Sequence, residues 1–150
     1  MRKNYSKKGF TLVELLVVIA IIVIISTIAI AALNPAKILA KARDGSRKTD
    51  LGGIKSAIEL YYSQNRAYPA AADVTFGGVF DDAAGNVYLK KTPNDPTSTW
   101  SYCYSLSGGN YSLCASVEDS GSANSGVTPC TLSGNTSPTP AGSYCLTNPF

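Results

Sequence analysis

Residues 9–14 read Gly-Phe-Thr-Leu-Val-Glu, and they open an apolar run that continues to Leu33. A helix rises about 1.5 Å per residue, so residues 10–33 would span roughly 36 Å, more than the ~30 Å hydrocarbon core of a bilayer. The sequence therefore predicts a membrane-spanning helix close to the N-terminus. The polar members of the run are Thr11, Glu14, Ser26 and Thr27.

Glu14 is the unusual member of this run because a charged side chain inside a bilayer costs on the order of 2.5–3.5 kcal/mol or more. An ionisable residue in such a place is a functional hypothesis by default. The alternative is that Glu14 lies only one turn inside the membrane, so that its carboxylate reaches the headgroups. Its position alone leaves both interpretations open.

The residues before the run are basic, with Arg2, Lys3, Lys7 and Lys8 ahead of Gly9. This leader, followed by Gly-Phe-Thr-Leu-Val-Glu, closely resembles the class III signal of type IV prepilins, which type II secretion pseudopilins share. The resemblance implies cleavage between Gly9 and Phe10, methylation of the new Phe10 amine, and Glu14 as the assembly glutamate. It also implies a prepilin peptidase and methyltransferase and an assembly machinery as partners.

Cleavage would create an α-amine, which with a pKa of about 7.7–8.0 is mostly cationic at neutral pH. In a helical stack of subunits, the Phe10 amine of one copy could meet Glu14 of its neighbour. Because an unpaired charge in an apolar core is strongly unfavourable, such a pair would set the register of the stack.

An ordinary secretory signal peptide is the competing interpretation, since Ala29-Ile30-Ala31 matches its cleavage pattern. The apolar run is longer than the usual ~7–15 residues of such signals, and it carries an acid in its first turn. Both features favour the prepilin interpretation.

Composition narrows the function further. Removal of residues 1–9 would leave nine basic against ten acidic side chains, a net charge of −1, so no nucleic-acid partner is inferred. The sequence has no histidine, which excludes His-based catalysis and His-containing zinc sites. No pattern of residues suggests an enzyme or a cofactor. Four widely spaced cysteines indicate two disulfides in an oxidising compartment: Cys103, Cys114, Cys130 and Cys145.

A second helix is predicted over residues 36–65, after an interruption at Asn34-Pro35. Its buried face is marked by apolar residues at spacings of three and four: Leu51, Ile54, Ile58 and Tyr61. Residues 43–50 are polar all round. They predict either a solvated connector held by local pairs or a segment whose charges meet those of neighbouring subunits.

A second resemblance joins this helix to the major pseudopilins of the G type and related pilins. It is carried by Lys-Ala-Arg-Asp-x-x-Arg-x-x-Asp-Leu at 41–51, by Tyr68-Pro69, and by Pro-Asn-Asp-Pro at 93–96. The calcium-binding C-terminal loop of the secretion protein has no clear counterpart, since residues 119–126 are only a weak echo of it. No metal site is predicted.

Residues 100–117 predict a β-hairpin, because apolar and small residues alternate on both sides of Gly108-Gly109. A two-residue turn there places Tyr104 opposite Leu113, and Cys103 opposite Cys114. We therefore expect a Cys103–Cys114 disulfide. A Cys130–Cys145 disulfide would then staple the polar C-terminal flap; four cysteines nevertheless permit three connectivities. A short strand is expected at residues 87–89, and Asn110 and Asn135 each begin a glycosylation sequon.

The expected fold is α+β, the pilin fold: a long N-terminal helix with a protruding apolar half, packed on a small antiparallel sheet. The expected parts are the leader (1–9), the transmembrane and assembly helix (10–33), its amphipathic continuation (34–65), and a connecting region, sheet and flap (66–150). The expected function is a structural subunit that leaves the membrane to form a surface filament. The alternatives are a secretion or DNA-uptake pseudopilin in a periplasmic pseudopilus, and a monomeric tethered or secreted binding module.

Overall fold

The computed structural model describes residues 9–32, 34–124, 130–132, 135 and 139–149. Residues 1–8 of the expected leader and Leu33 lie outside the described residues. The chain divides into two compact units, residues 1–38 and residues 39–150. The α+β class predicted from the sequence is confirmed, because a long apolar helix is followed by a second helix and two small antiparallel sheets.

The first unit contains helix α1, Leu12–Ala32. Its large apolar side chains are all at least 49 % exposed within the subunit. Among the described residues, its segment Leu12–Ile30 is the one stretch long and apolar enough to cross a membrane. The predicted interruption follows it: Asn34 has a left-handed backbone (φ 44°), and helix α2 begins at Pro35. Proline suits this first helical position because its missing N–H would have no helical acceptor there.

Helix α2, Pro35–Asn65, is amphipathic, and its residues from 39 onward belong to the second unit. The predicted apolar face is confirmed: Leu51, Ile54 and Ile58 are fully buried, and Tyr61 packs against the same core. The helix ends through Arg66, whose left-handed backbone (φ 57°) lets its N–H donate to the Tyr62 carbonyl at 2.8 Å. This is the αL capping geometry that closes helix C-termini.

The main sheet has three antiparallel strands in the order β3-β4-β5. Strands β3 (Cys103–Ser107) and β4 (Asn110–Val117) form the predicted hairpin, and β5 is Gly142–Thr147. The predicted register is confirmed, with Cys103 opposite Cys114 and Tyr104 opposite Leu113. Gly108 and Gly109 both have positive φ (58° and 83°), as a primed two-residue turn requires. Strand β5 was not predicted from the sequence.

A smaller hairpin joins β1 (Phe80–Asp81) to β2 (Val87–Leu89), and it confirms the strand predicted at residues 87–89. The Asp82 carboxylate organises the loop between them by accepting hydrogen bonds from Ala84 N, Asn86 N and the Tyr88 hydroxyl at 2.8–2.9 Å. The hydrogen bonds from Asn86, followed by those from Tyr88 and Ala84, lower the pKa of Asp82 to about 2.

The core of the second unit lies between α2 and the apolar face of the three-stranded sheet. Tyrosines contribute much of it, and their hydroxyls are satisfied: Tyr111 donates to Glu59 at 2.7 Å, and Tyr104 donates to the Pro69 carbonyl at 3.0 Å. Burial raises the pKa of both phenols. These buried hydroxyl bonds tie the sheet to the helix and to the segment that follows it.

Candidate functional site

The start of α1 is a capping box. Thr11 Oγ1 accepts a hydrogen bond from Glu14 N at 3.2 Å, and Glu14 Oε2 accepts from Thr11 N at 2.8 Å and from Thr11 Oγ1 at 3.0 Å. Such a reciprocal pair satisfies backbone N–H groups that have no acceptor inside the helix. The side chain predicted to direct assembly is therefore held in place by its own chain. Sequence reasoning missed the role of Thr11, although Thr-x-x-Glu is the signature of this motif.

The surroundings of the predicted cleavage site are open in the subunit. Phe10 is 92 % exposed, and a β-carbon built on Gly9 would meet no atom within 4 Å. Glu14 is exposed as well, and its Oε1 accepts no hydrogen bond from the residues that the structure describes. The structure thus places Gly9, Phe10 and Glu14 within one helical turn, with one carboxylate oxygen still available.

A buried charge cluster occupies the first turns of α2 in the second unit, at the segment that was predicted to be either solvated or turned toward neighbouring subunits. Arg47 is fully buried, and its Nε and Nη2 donate to the two oxygens of Asp95, both at 2.9 Å. Its Nη1 donates to Asp44 at 2.7 Å and to Glu118 at 3.0 Å. Both predictions are therefore wrong for this part of the segment, because the acids that meet Arg47 belong to the same chain.

The other face of Arg47 is covered by Trp100, with the guanidinium carbon 4.6 Å from the ring centroid. Burial lowers the pKa of Arg47, but the hydrogen bonds and charge of Asp95 more than offset this effect, so the pKa lies above its ordinary value. The indole Nε1 of Trp100 is the one buried side-chain donor or acceptor without a hydrogen bond in the described part of the chain.

Two further contacts connect this cluster to the end of β4. Asp44 accepts hydrogen bonds from the backbone N–H groups of Glu118 (3.0 Å) and Asp119 (2.9 Å). Arg43 forms a two-point ion pair with Glu118 at the edge of the cluster. These bonds, those from Arg43 first, lower the pKa of Glu118. The cluster thus fixes the first half of α2 to two separate parts of the sheet region.

The two disulfides differ from the predicted ones. Cys103 is bonded to Cys130, and Cys114 to Cys145. The predicted pairing of Cys103 with Cys114 and of Cys130 with Cys145 is therefore wrong, although the register on which it rested is confirmed. The reason is the unpredicted third strand, because Cys114 lies on the central strand and faces both Cys103 and Cys145.

Strand geometry explains which partner Cys114 takes. A residue on a central antiparallel strand that is hydrogen-bonded to one neighbour faces the other neighbour in a non-hydrogen-bonded pair, where the Cα atoms are closer. The Cα atoms of Cys114 and Cys145 are 4.1 Å apart, which is the close type of pair. The outward N–H and C=O of Cys145 are instead bonded by the Asn124 carboxamide at 2.7 and 2.6 Å.

Asn135 closes the backbone before β3 in the same manner. Its carboxamide accepts from Ser101 N at 2.9 Å and donates to Ser101 O at 3.1 Å, and it also donates to Ser116 Oγ at 2.8 Å. Asn135 is 8 % exposed, so its sequon is closed to glycosylation in the folded protein, whereas Asn110 is exposed. An asparagine carboxamide thus caps each outer strand of the sheet.

Among the described residues, the one group of metal-ligand side chains close enough to share an ion is a set of three sulfurs within 4.8 Å of one another. They belong to Cys103, Cys114 and Cys130, and all of them are in disulfides. Thiolates are the form of cysteine that ligates metals, so this group offers no metal site.

Comparisons with known proteins agree with the geometry of the helix start. The family model described as "Prokaryotic N-terminal methylation motif" matches residues 4–30. The fimbrial protein EcpC of Eikenella corrodens is 41 % identical over 64 residues, which are 43 % of this chain and 40 % of that protein. The type IV major pilin protein PilA of Myxococcus xanthus (strain DK1622) is 37 % identical over 67 residues, which are 45 % and 30 % of the two chains.

A third relative matches a longer part of the chain. The type II secretion system core protein G of Pectobacterium carotovorum subsp. carotovorum is 28 % identical over 106 residues, 65 % of this chain and 67 % of that protein. No solved structure gives a significant match. The chain thus spans well under half the length of the two pilin-like relatives. The methylation motif, the open helix start and these relatives together show that the chain belongs to the superfamily of type IV pilins and type II secretion pseudopilins.

Proposed function

We propose that the protein is a prepilin, a structural subunit and not an enzyme. Its leader, residues 1–9, is removed between Gly9 and Phe10, and the new Phe10 amine is methylated by a prepilin peptidase and methyltransferase. Residues 10–33 then anchor the mature subunit in the membrane. Assembly machinery moves it into a helical homopolymer at the cell surface, in which residues 34–65 and 66–150 form the outer part.

The observation that carries this proposal is the exposed apolar surface of α1, whose large side chains are all at least 49 % exposed. A soluble monomer rarely exposes a continuous apolar surface of this size. Lipid covers such a helix before assembly, and the helices of other copies cover it in a filament. The same helix therefore suits both states that the proposal requires.

The geometry of Glu14 supports its role in assembly. The capping box occupies Oε2 and leaves Oε1 without a hydrogen bond from the described residues. A carboxylate with one free oxygen can accept the Phe10 amine of a neighbouring copy without giving up its own helix cap. Failure to form that pair leaves a charge unpaired in an apolar core, which costs roughly 3–5 kcal/mol in buried pairs.

A pseudopilin is the second candidate, and the match to the secretion protein over 65 % of the chain favours it. A pseudopilin uses the same processing and the same helix packing, but its polymer stays in the periplasm. The proposal therefore has a common part, which is processing and polymerisation, and a part that distinguishes the two candidates, which is where the polymer is found.

Intact mass and N-terminal sequencing of the protein purified from membranes test the common part. We expect a chain that begins at Phe10, carries one N-methyl group and retains its apolar helix. A chain that begins near Ala32 would instead identify a secreted module and end the proposal. Sheared surface filaments rich in the mature chain would then identify a pilin, whereas polymer retained in the envelope would identify a pseudopilin.

A further inference from the structure

A cavity of about 470 Å³ lies in the second unit, between the C-terminal end of α2 and the turn that joins β3 to β4. Its volume is within the range of pockets that hold small ligands, roughly 300–1,000 Å³. The residues that matter for its chemistry are Tyr62, Arg66, Tyr68, Leu106, Asn110 and Asn148. The filament proposal makes no use of any of them.

One wall of the cavity is an aromatic pair. The rings of Tyr62 and Tyr68 are stacked, with centroids 4.5 Å apart. Tyr68 is held in place because its hydroxyl donates to Glu59 at 3.3 Å and its ring meets Tyr111 edge-on at 4.9 Å. Tyr62 is 38 % exposed, so a ring supported from behind remains open to a ligand.

The cation of the cavity is Arg66. Its backbone is fixed by the left-handed cap of α2, but its guanidinium forms no hydrogen bond or ion pair with the residues that the structure describes. It is also the single cationic residue among those that line the cavity. An unpaired guanidinium is a two-point donor whose geometry matches a carboxylate.

Polar atoms complete the opposite side. Asn148 Nδ2 donates to Asn110 Oδ1 at 2.9 Å, which fixes the orientation of the Asn110 carboxamide. The Asn110 Nδ2 donates no hydrogen bond within the described residues. The cavity therefore offers an apolar ring face, one cation and an oriented amide donor.

We propose that this cavity binds an acidic sugar unit, a pyranose ring that carries a carboxylate. The C–H face of the ring would pack on Tyr62, the carboxylate would accept two hydrogen bonds from Arg66, and a ring hydroxyl would accept from Asn110. A nucleic-acid strand fits poorly, because its binding needs several cations along the backbone and the cavity has one. The proposal is independent of polymerisation.

Calorimetric titration of the full mature chain in detergent tests the proposal with three probes. An oligogalacturonate and sialyllactose carry carboxylates on different acidic sugars, of microbial or plant polysaccharides and of animal glycans respectively, and lactose is the neutral control. We expect saturable binding of one or both acidic probes and at least about tenfold weaker binding of lactose, as one lost charged hydrogen-bond pair implies.

Two variants and a control connect that binding to the cavity. Arg66→Gln should weaken the acidic probe about tenfold or more, and Tyr62→Ala should weaken it as well. Lys90→Gln removes an exposed cation outside the cavity and should change nothing. Unaltered circular dichroism confirms that the variants are folded. The proposal is overturned by the absence of saturable binding, by equal binding of lactose, by unchanged binding in Arg66→Gln, or by tighter binding of an acidic peptide than of either acidic sugar.

Discussion

Arg47 and Asp95 form a two-point ion pair inside the second unit, with both nitrogen–oxygen distances at 2.9 Å and both side chains fully buried. The pair joins α2 to the loop that precedes the main sheet. Thr97 Oγ1 accepts a further bond from Arg47 at 2.8 Å in the same loop. A complete set of partners makes this buried cation tolerable, since an unpaired charge at that depth is strongly destabilising.

Removal of one partner should therefore be costly. We expect Asp95→Asn to lower the free energy of unfolding of the second unit by roughly 3–5 kcal/mol, because Arg47 remains buried without its main counter-charge. Arg43→Gln is the matched control. It removes an ion pair whose arginine side chain is 41 % exposed, for which about 0–1 kcal/mol is expected.

Denaturant unfolding of the full chain in detergent, followed by near-ultraviolet circular dichroism, measures both changes. Equal small losses for Asp95→Asn and Arg43→Gln would contradict the role given to the buried pair.

Acid should weaken the same cluster through Glu118. Hydrogen bonds from Arg43 and Arg47 lower the pKa of Glu118 in the folded protein below its ordinary value of about 4.5. A lowered folded-state pKa stabilises the protein above the unfolded-state pKa, and this stabilisation is lost as the pH falls through the folded-state value. Melting temperatures of wild type and Glu118→Gln should therefore converge below pH 4.5. Curves that stay parallel from pH 7 to pH 3 would show that Glu118 does not contribute.

The sequence predicted the parts of the fold that repeat at short range. Alternation and Gly108-Gly109 predicted the hairpin with its register, and the three-four spacing predicted the apolar face of α2. It did not predict the burial of Arg47, because the partners Asp95 and Glu118 are distant in sequence and their proximity depends on tertiary packing.

Strand β5 was missed for a related reason. It follows a long polar segment, and its pairing with β4 closes a loop of more than twenty residues, which no local pattern announces. The disulfide error followed directly, since two strands offer Cys114 one partner and three strands offer it two.

The disulfides can be tested by a single cleavage, because Glu118 is the only glutamate after residue 91. A glutamyl endopeptidase applied without reduction separates Cys103 and Cys114 from Cys130 and Cys145. The structure predicts that the two fragments stay linked until a reductant is added, whereas the pairing expected from the hairpin alone would release them. Chymotryptic mapping then distinguishes Cys114–Cys145 from Cys114–Cys130.

Loss of the central disulfide should destabilise the sheet. A cross-link that closes a loop of about 30 residues is worth roughly 3–4 kcal/mol in the chain-entropy model. We expect the double variant Cys114→Ala, Cys145→Ala to lose about that much in denaturant unfolding, while Cys103 and Cys130 stay paired. An unchanged midpoint would show that the strands hold without the cross-link.

The last prediction separates the two roles of Glu14, which are to cap its own helix and to receive a charge from a neighbour. Glu14→Gln keeps the capping box, because glutamine also serves at that position, but it removes the negative charge. Thr11→Ala keeps the charge and weakens the cap by about 0.5–2 kcal/mol. If the charge directs assembly, Glu14→Gln should still be inserted and cleaved after Gly9 yet yield almost no polymer, while Thr11→Ala should retain most of it.

Glu14→Leu completes the comparison because it removes both the cap and the charge. A carboxylate that only reaches toward the headgroups would make this variant harmless, since the replacement removes a desolvation cost. A carboxylate that pairs with the neighbouring Phe10 amine makes it as defective as Glu14→Gln. The measurement is the ratio of processed subunit in membranes to subunit in sheared or pelleted polymer, for wild type and the three variants. Polymer from Glu14→Leu at the wild-type level would show that Glu14 does not direct assembly.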